Sequence, residues 1–190
     1  MNLRATCVLL VVLVSCSLQG CFPVVAAGVG AGVMLAQDRR TKDVIIEDQE
    51  IESAATERIY KQLKGVMHVN VTSYNRNVLL SGEVPDEQTK KEIERIVSNL
   101  GNVHVVYNEI AVSDNSSLAS RSNDGLVTSN VKLRFVNDKR FSADWIKVVT
   151  ENGTVYLMGL VSHDEADSAS DVASTTQGVR RVVRIFEYLD

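Results

Sequence analysis

The chain has 190 residues, 45% of them hydrophobic, with a formal charge of −4; that suffices for one ordinary domain or two small ones and excludes global disorder. The mildly acidic balance leaves no electrostatic footprint for nucleic acid. All three cysteines (Cys7, Cys16 and Cys21) fall in the first 21 residues, so the rest of the chain holds neither a disulfide framework nor a cysteine metal site. Arg4 precedes an apolar run from Ala5 to Val14, too short to span a bilayer and right for the central region of a signal peptide.

The next feature is Leu18-Gln19-Gly20-Cys21, which resembles the bacterial lipobox. The resemblance implies cleavage after residue 20, leaving Cys21 with a thioether diacylglycerol and an acylated amine. Several acyl chains anchor a protein stably, each buried CH₂ contributing about 0.8 kcal/mol. Residue 22 is Phe; Asp there favours inner-membrane retention in the lipoproteins of enteric-type bacteria, so the resemblance is consistent with transfer to the outer membrane. Residues 22–36 are small, apolar and glycine-rich; fifteen such residues are marginal for a span. Residues 21–46 are therefore expected to form an acylated, flexible tether.

The remainder repeats itself. Asn75, Val78, Leu80, Gly82 and Val84 recur as Asn152, Val155, Leu157, Gly159 and Val161, 77 residues later. Gly101 recurs as Gly178, and both are expected at helix C-termini. Upstream, Ala55, Ile59 and Leu63 align with Val127, Val131 and Phe135 at an offset of 72, which implies about five extra residues after the first helix of the second copy. Each copy reads helix, strand, strand, helix, strand: amphipathic spacing in the first helix, an Asn-Gly hairpin signal at 152–153, and helix starts at Asp86-Glu87 and at the capping box Ser162 to Glu165. The fold class is α+β, with two tandem domains at 47–112 and 124–190, each carrying two helices on a three-stranded mixed sheet. Polar residues 113–123 read as a Ser/Asn-rich linker.

A tandem α-β-β-α-β unit with Val-x-Leu-x-Gly-x-Val after its hairpin resembles the BON domain. Two copies behind a lipobox resemble the dual-BON outer-membrane lipoproteins of the DolP type. The resemblance implies a periplasmic, non-enzymatic protein on the outer membrane that binds anionic phospholipid (phosphatidylglycerol or cardiolipin) and supports envelope integrity. It also implies that the lipid contact lies on the first helix of the second domain.

No catalytic chemistry is legible. His68, His104 and His163 lack a second His or Cys at metal-ligand spacing, so neither metal nor cofactor is expected, and these histidines read as surface or capping residues. Asp86, Glu87, Asp164 and Glu165 fall in helix first turns, where the helix dipole favours negative charge.

The copies differ in one place that matters. In the first helix of the second copy, Val127, Val131 and Phe135 share one face, while Leu126, Ser129, Leu133 and Val136 share the opposite one. The aligned residues of the first copy, Ala54, Glu57, Lys61 and Lys64, make an ordinary solvated face. Lys132, Lys139 and Arg140 flank the apolar face, a pattern suited to anionic lipid. Packing against the first domain, or docking of an envelope assembly or peptidoglycan-associated protein, would also use such a face. Trp145, read as a strand residue out of phase with Ile146 and Val148, is expected on the second face of its sheet.

Overall fold

The computed structural model describes residues 38–63, 65 and 68–190; the stretch read as signal peptide, Cys21 and residues 22–37 of the stretch read as tether lie outside them. The first domain opens with α1 (Lys42–Gln62), capped by the Thr41 side chain, which accepts from the Val44 N–H. Its buried residues Asp48, Ile51, Ala55 and Ile59 recur at three- and four-residue spacing, the period that puts them on one face. Strands β1 (His68–Tyr74) and β2 (Asn77–Val84) form an antiparallel hairpin. Helix α2 (Glu87–Ser98), capped by Asp86, then returns the chain so that β3 (Val105–Asn108) and β4 (Ala111–Val112) run parallel to β2. These last two continue one register along β2, so the expected third strand exists as two pieces.

The second domain repeats this order with α3 (Leu118–Asn137), a 3₁₀ turn (Ala143–Trp145), β5 (Ile146–Glu151), β6 (Thr154–Val161), α4 (His163–Ser174) and β7 (Arg181–Tyr188). β6 is central, antiparallel to β5 and parallel to β7. Ser162 caps α4 in a complete capping box with Glu165. Both hairpin turns place their two central residues at positive φ: 52° and 64° at Asn75 and Arg76, and 47° and 70° at Asn152 and Gly153. This is the mirror-image turn that matches strand twist.

Three readings of the sequence are corrected. The buried faces of the first helices correspond at an offset of 76, pairing Asp48, Ile51, Ala55 and Ile59 with Asp124, Val127, Val131 and Phe135. The caps Thr41 and Ser117 are also 76 apart. An offset of 72 is one helical turn out of place, because i and i+4 look alike on an amphipathic helix; the five extra residues do not exist. Second, helix is present from Leu118, within the stretch read as linker, and from Lys42, within the stretch read as tether. Third, Gly101 and Gly178 do not cap helices: α2 and α4 end at Ser98 and Ser174. The left-handed residues beyond them are Asn102 and Gly178.

The two sheets pack back to back with the helices outside. One core lies under α1 and α2 (Ile51, Ile59, Val78, Leu80, Ile93, Val97) and another under α3 and α4 (Val127, Val131, Phe135, Val155, Leu157, Ala169). A third joins the sheets through Tyr74, Leu79, Tyr156, Met158, Leu160 and Ile185. Polar contacts close the same interface: the Tyr74 hydroxyl donates to the Trp145 carbonyl at 3.0 Å, and Lys147 Nζ meets Glu52 at 2.7 Å. The domains meet through their sheets, and the outer face of α3 is left exposed at Leu126, Leu133 and Val136.

The recurring Gly82 and Gly159 are required by close approach. A Cβ on Gly82 would sit 2.0 Å from the His68 carbonyl oxygen, and φ there is +111°; a Cβ on Gly159 would sit 2.6 Å from the Trp145 carbonyl oxygen. Gly82→Ala is expected to destabilise the fold by about 3 kcal/mol, adding backbone strain to a main-chain clash. Urea unfolding checks this.

Candidate functional site

The outer face of α3 carries the candidate site. Leu126, Leu133 and Val136 are 65%, 63% and 71% exposed, while Val127, Val131 and Phe135 on the other side are buried in the core. Leu118, the first residue of the helix, is also exposed and falls on the same face at 100° per residue. Ser122, Gly125 and Ser129 lie between these residues on that face and are exposed, so small side chains separate the large aliphatic ones. Twenty residues at 1.5 Å each give a stripe about 30 Å long. Leu118 lies in the segment whose polar composition reads as linker; the signal that a helix starts there is Ser117, a good N-cap directly before it.

With the helices aligned at 76, the counterparts of Leu126 and Leu133 are Glu50 and Glu57, both exposed. The contrast between charge in one copy and hydrocarbon in the other therefore holds at these two positions, while Ser122 and Val136 align with Ile46 and Tyr60, which are exposed apolar residues of the first copy.

The flanking cations are unequal. Lys132 and Lys139 are exposed. Arg140 is bound to Asp138, Nε to Oδ1 at 3.0 Å and NH2 to Oδ2 at 2.7 Å, and these bonds hold the Asp138 carboxyl down to about 2. Arg140 thus brings less free charge to the face than its sequence position implied. Arg134 points elsewhere, donating to the Val172 carbonyl and to Thr176 at the end of α4.

At the C-terminal end of the stripe lies a cleft of about 380 Å³, lined by Lys132 and Val136 from α3 and by Arg40 and Tyr74 from the first domain. The chain reaches α1 here. Arg40 pairs with Asp38 at 2.7 Å and with Asp48 at 2.8 Å, and its guanidinium sits 3.9 Å from the centre of the Tyr74 ring. Arg39 forms a two-pronged bond to Glu165 at 2.7 and 2.8 Å, which lowers the Glu165 pKa. It also lies 3.5 Å over the Trp145 ring. The segment that leads back toward Cys21 is thereby held against both domains, beside the end of the apolar stripe. Cys21 itself is outside the described residues.

Trp145 is a correction. It belongs to the 3₁₀ turn before β5, where strand alternation has not begun, and it packs against the helix-side core of the second domain.

The histidines divide. His163 pairs with Asp190 at 2.9 Å and stacks on Tyr188. His104 is exposed. His68 is half-buried between the domains, where it meets Glu83 and Glu151. There burial raises the Glu151 pKa against the lowering effect of a hydrogen bond from Asn70. Spacing along the chain gave no sign of this cluster, because its members come from three strands.

The BON domain model matches residues 47–114 and 123–189. The chain belongs to the BON-domain family. Its two-domain form is that of the DolP-type lipoproteins: it is 38% identical over 175 residues to the outer membrane lipoprotein DolP of Haemophilus influenzae, covering 91% of each chain. It is also 30% identical over 154 residues to the 21 kDa hemolysin of Actinobacillus pleuropneumoniae, covering 80% of this chain and 79% of that one. Both likenesses extend beyond either BON domain alone, so the tandem arrangement of this family member is shared with them.

Proposed function

We propose that this BON-family protein is a non-enzymatic, outer-membrane-anchored lipoprotein. In this reading acyl chains on Cys21 hold it at the periplasmic face, and the outer face of α3 engages anionic phospholipid, supporting envelope integrity. The observation that carries the reading is the exposed aliphatic stripe of Leu118, Leu126, Leu133 and Val136, set beside Lys132 and Lys139. A soluble domain seldom leaves such a stripe uncovered without an interface to fill. Each leucine taken from water contributes about 1.5–3 kcal/mol, and each basic side chain near an anionic surface about 1. Less the cost of association, that sum gives weak to moderate binding to a free protein and firm binding to one already tethered.

The test uses a mature chain with Cys21→Ser, which removes the acyl anchor. Binding to vesicles containing phosphatidylglycerol, and not to purely phosphatidylcholine vesicles, is expected in co-sedimentation. Raising the salt from about 0.05 to about 0.5 M should weaken it by screening Lys132 and Lys139. Absence of binding to both vesicle types would replace lipid with a protein partner as the occupant of the stripe, and equal binding to both would remove the anionic headgroup from the reading.

A further inference from the structure

We propose that His68, Glu83 and Glu151 form a site for a divalent transition-metal ion that bridges the two domains. The proposal is independent of the lipid reading. His68 and Glu83 are direct cross-strand partners in the first hairpin. Their side chains share the sheet face that carries Tyr74 and Leu79, the face turned to the second domain. Glu151 arrives from the end of β5 in the opposing sheet.

The three ligand atoms lie within 4.8 Å of one another, and His68 Nε2 stands 3.6 Å from Glu151 Oε1. In a tetrahedral zinc site with bonds of about 2.0–2.2 Å, neighbouring ligands are about 3.3–3.6 Å apart. One edge therefore already has the required length, and Glu83 closes the others by a side-chain shift on the order of 1 Å.

Surroundings fit the same purpose. Glu83 and Glu151 are only 4% and 9% exposed, and carboxylates this deep are paired or bind metal. Each has one oxygen held by a neutral donor: Glu151 Oε2 accepts from Asn70 Nδ2 at 3.0 Å, and Glu83 Oε2 from Ser116 Oγ at 3.2 Å. Such second contacts orient ligands in metal sites. The Asn70 amide also lies 3.3 Å from His68 Nε2, so a bound ion displaces it from the ring nitrogen. Two residues along the same face from Glu83, the fully buried Ser81 Oγ has no hydrogen-bond partner among the described residues. A cleft of about 340 Å³ lined by His68, Asn70 and Glu151 gives access and room for a water as fourth ligand.

Arg121, in the first turn of α3, is the resident counter-charge. Its Nη1 lies 3.4 Å from His68 Nδ1, and its Nε is buried with no hydrogen-bond partner among the described residues. Metal on Nε2 puts a proton on Nδ1, so the guanidinium must swing away when the ion enters. Arg121 and the metal therefore compete.

The experiment uses the intact chain in a non-ionic detergent, stripped with a chelator and titrated with Co²⁺, followed by visible d–d absorption and displacement by Zn²⁺. One ion per chain is expected, with loss of the absorption in Glu83→Gln and Glu151→Gln, which preserve side-chain shape, and in His68→Ala. Arg121→Ala is expected to bind about tenfold more tightly, because a like charge no longer opposes the ion. His163→Ala should leave binding unchanged. Absence of saturable binding, or binding retained by both glutamine variants, overturns the site.

Discussion

Leu133→Glu is expected to weaken binding of the unacylated chain to phosphatidylglycerol vesicles by about a hundredfold, and Leu126→Glu with Leu133→Glu to abolish it. The magnitude follows from two contributions. Losing a leucine from the buried contact costs about 1.5–3 kcal/mol, and bringing a carboxylate to an anionic surface costs about 1 more. A sum near 3 kcal/mol is about two decades of affinity. Folding should be untouched: both side chains are more than half exposed, and surface changes of this kind move stability by about 0.5 kcal/mol or less. The urea midpoint checks that directly. Arg140→Ala should do much less than Lys132→Ala, since Arg140 is already bound to Asp138 while Lys132 faces solvent. Undiminished vesicle binding by the double variant would remove α3 from the membrane contact and leave the stripe to a protein partner.

That stripe was legible in the sequence because a 3.6-residue period needs no tertiary information. Val127, Val131 and Phe135 define one side, and whatever lies opposite faces outward. What the period cannot supply is the helix's absolute register against its twin, since a shift of one turn preserves the pattern. Nor did local propensity reveal where α3 begins. Ser116, Ser117, Ser120, Ser122, Asn123 and Gly125 are all poor interior helix formers. They are helical from Leu118 on because Ser117 caps the end and the buried side from Asp124 to Phe135 packs on the sheet. Strand alternation failed for Trp145 for a related reason: it precedes the strand. The back-to-back sheets and the cluster of His68, Glu83 and Glu151 depend on contacts between residues far apart in the chain, which no window of sequence contains.

Asp48 is the sharper instance, since an acid on an apolar helix face reads as an interruption when it is a keystone. It is 3% exposed and accepts from the Asn75 N–H and the Arg76 N–H at 2.8 Å each, from Ser73 Oγ at 2.6 Å, and from Arg40 NH1 at 2.8 Å. One carboxylate thus pins the β1–β2 turn and the segment that precedes α1 to the first helix. Asp124 repeats the device, accepting from the Asn152 and Gly153 N–H groups at 2.9 and 2.8 Å. Asp48→Ala leaves a partly buried guanidinium with one partner fewer and two turn amides without an acceptor. It is expected to cost about 3–5 kcal/mol, a large share of a total of about 5–15. Asp124→Ala loses the two amide contacts and should cost about 2. The turns themselves also differ. Arg76 sits at a φ of 64° where the second copy has Gly153 at 70°, and a side chain in that region costs about 1 kcal/mol that glycine does not. In the Asp48→Ala background, Arg76→Gly should therefore recover about 1 kcal/mol, read from the urea midpoint. If Asp48→Ala proves no more damaging than Asp124→Ala, the pinning of the entering segment through Arg40 contributes nothing to stability, and the two acids are interchangeable turn clamps.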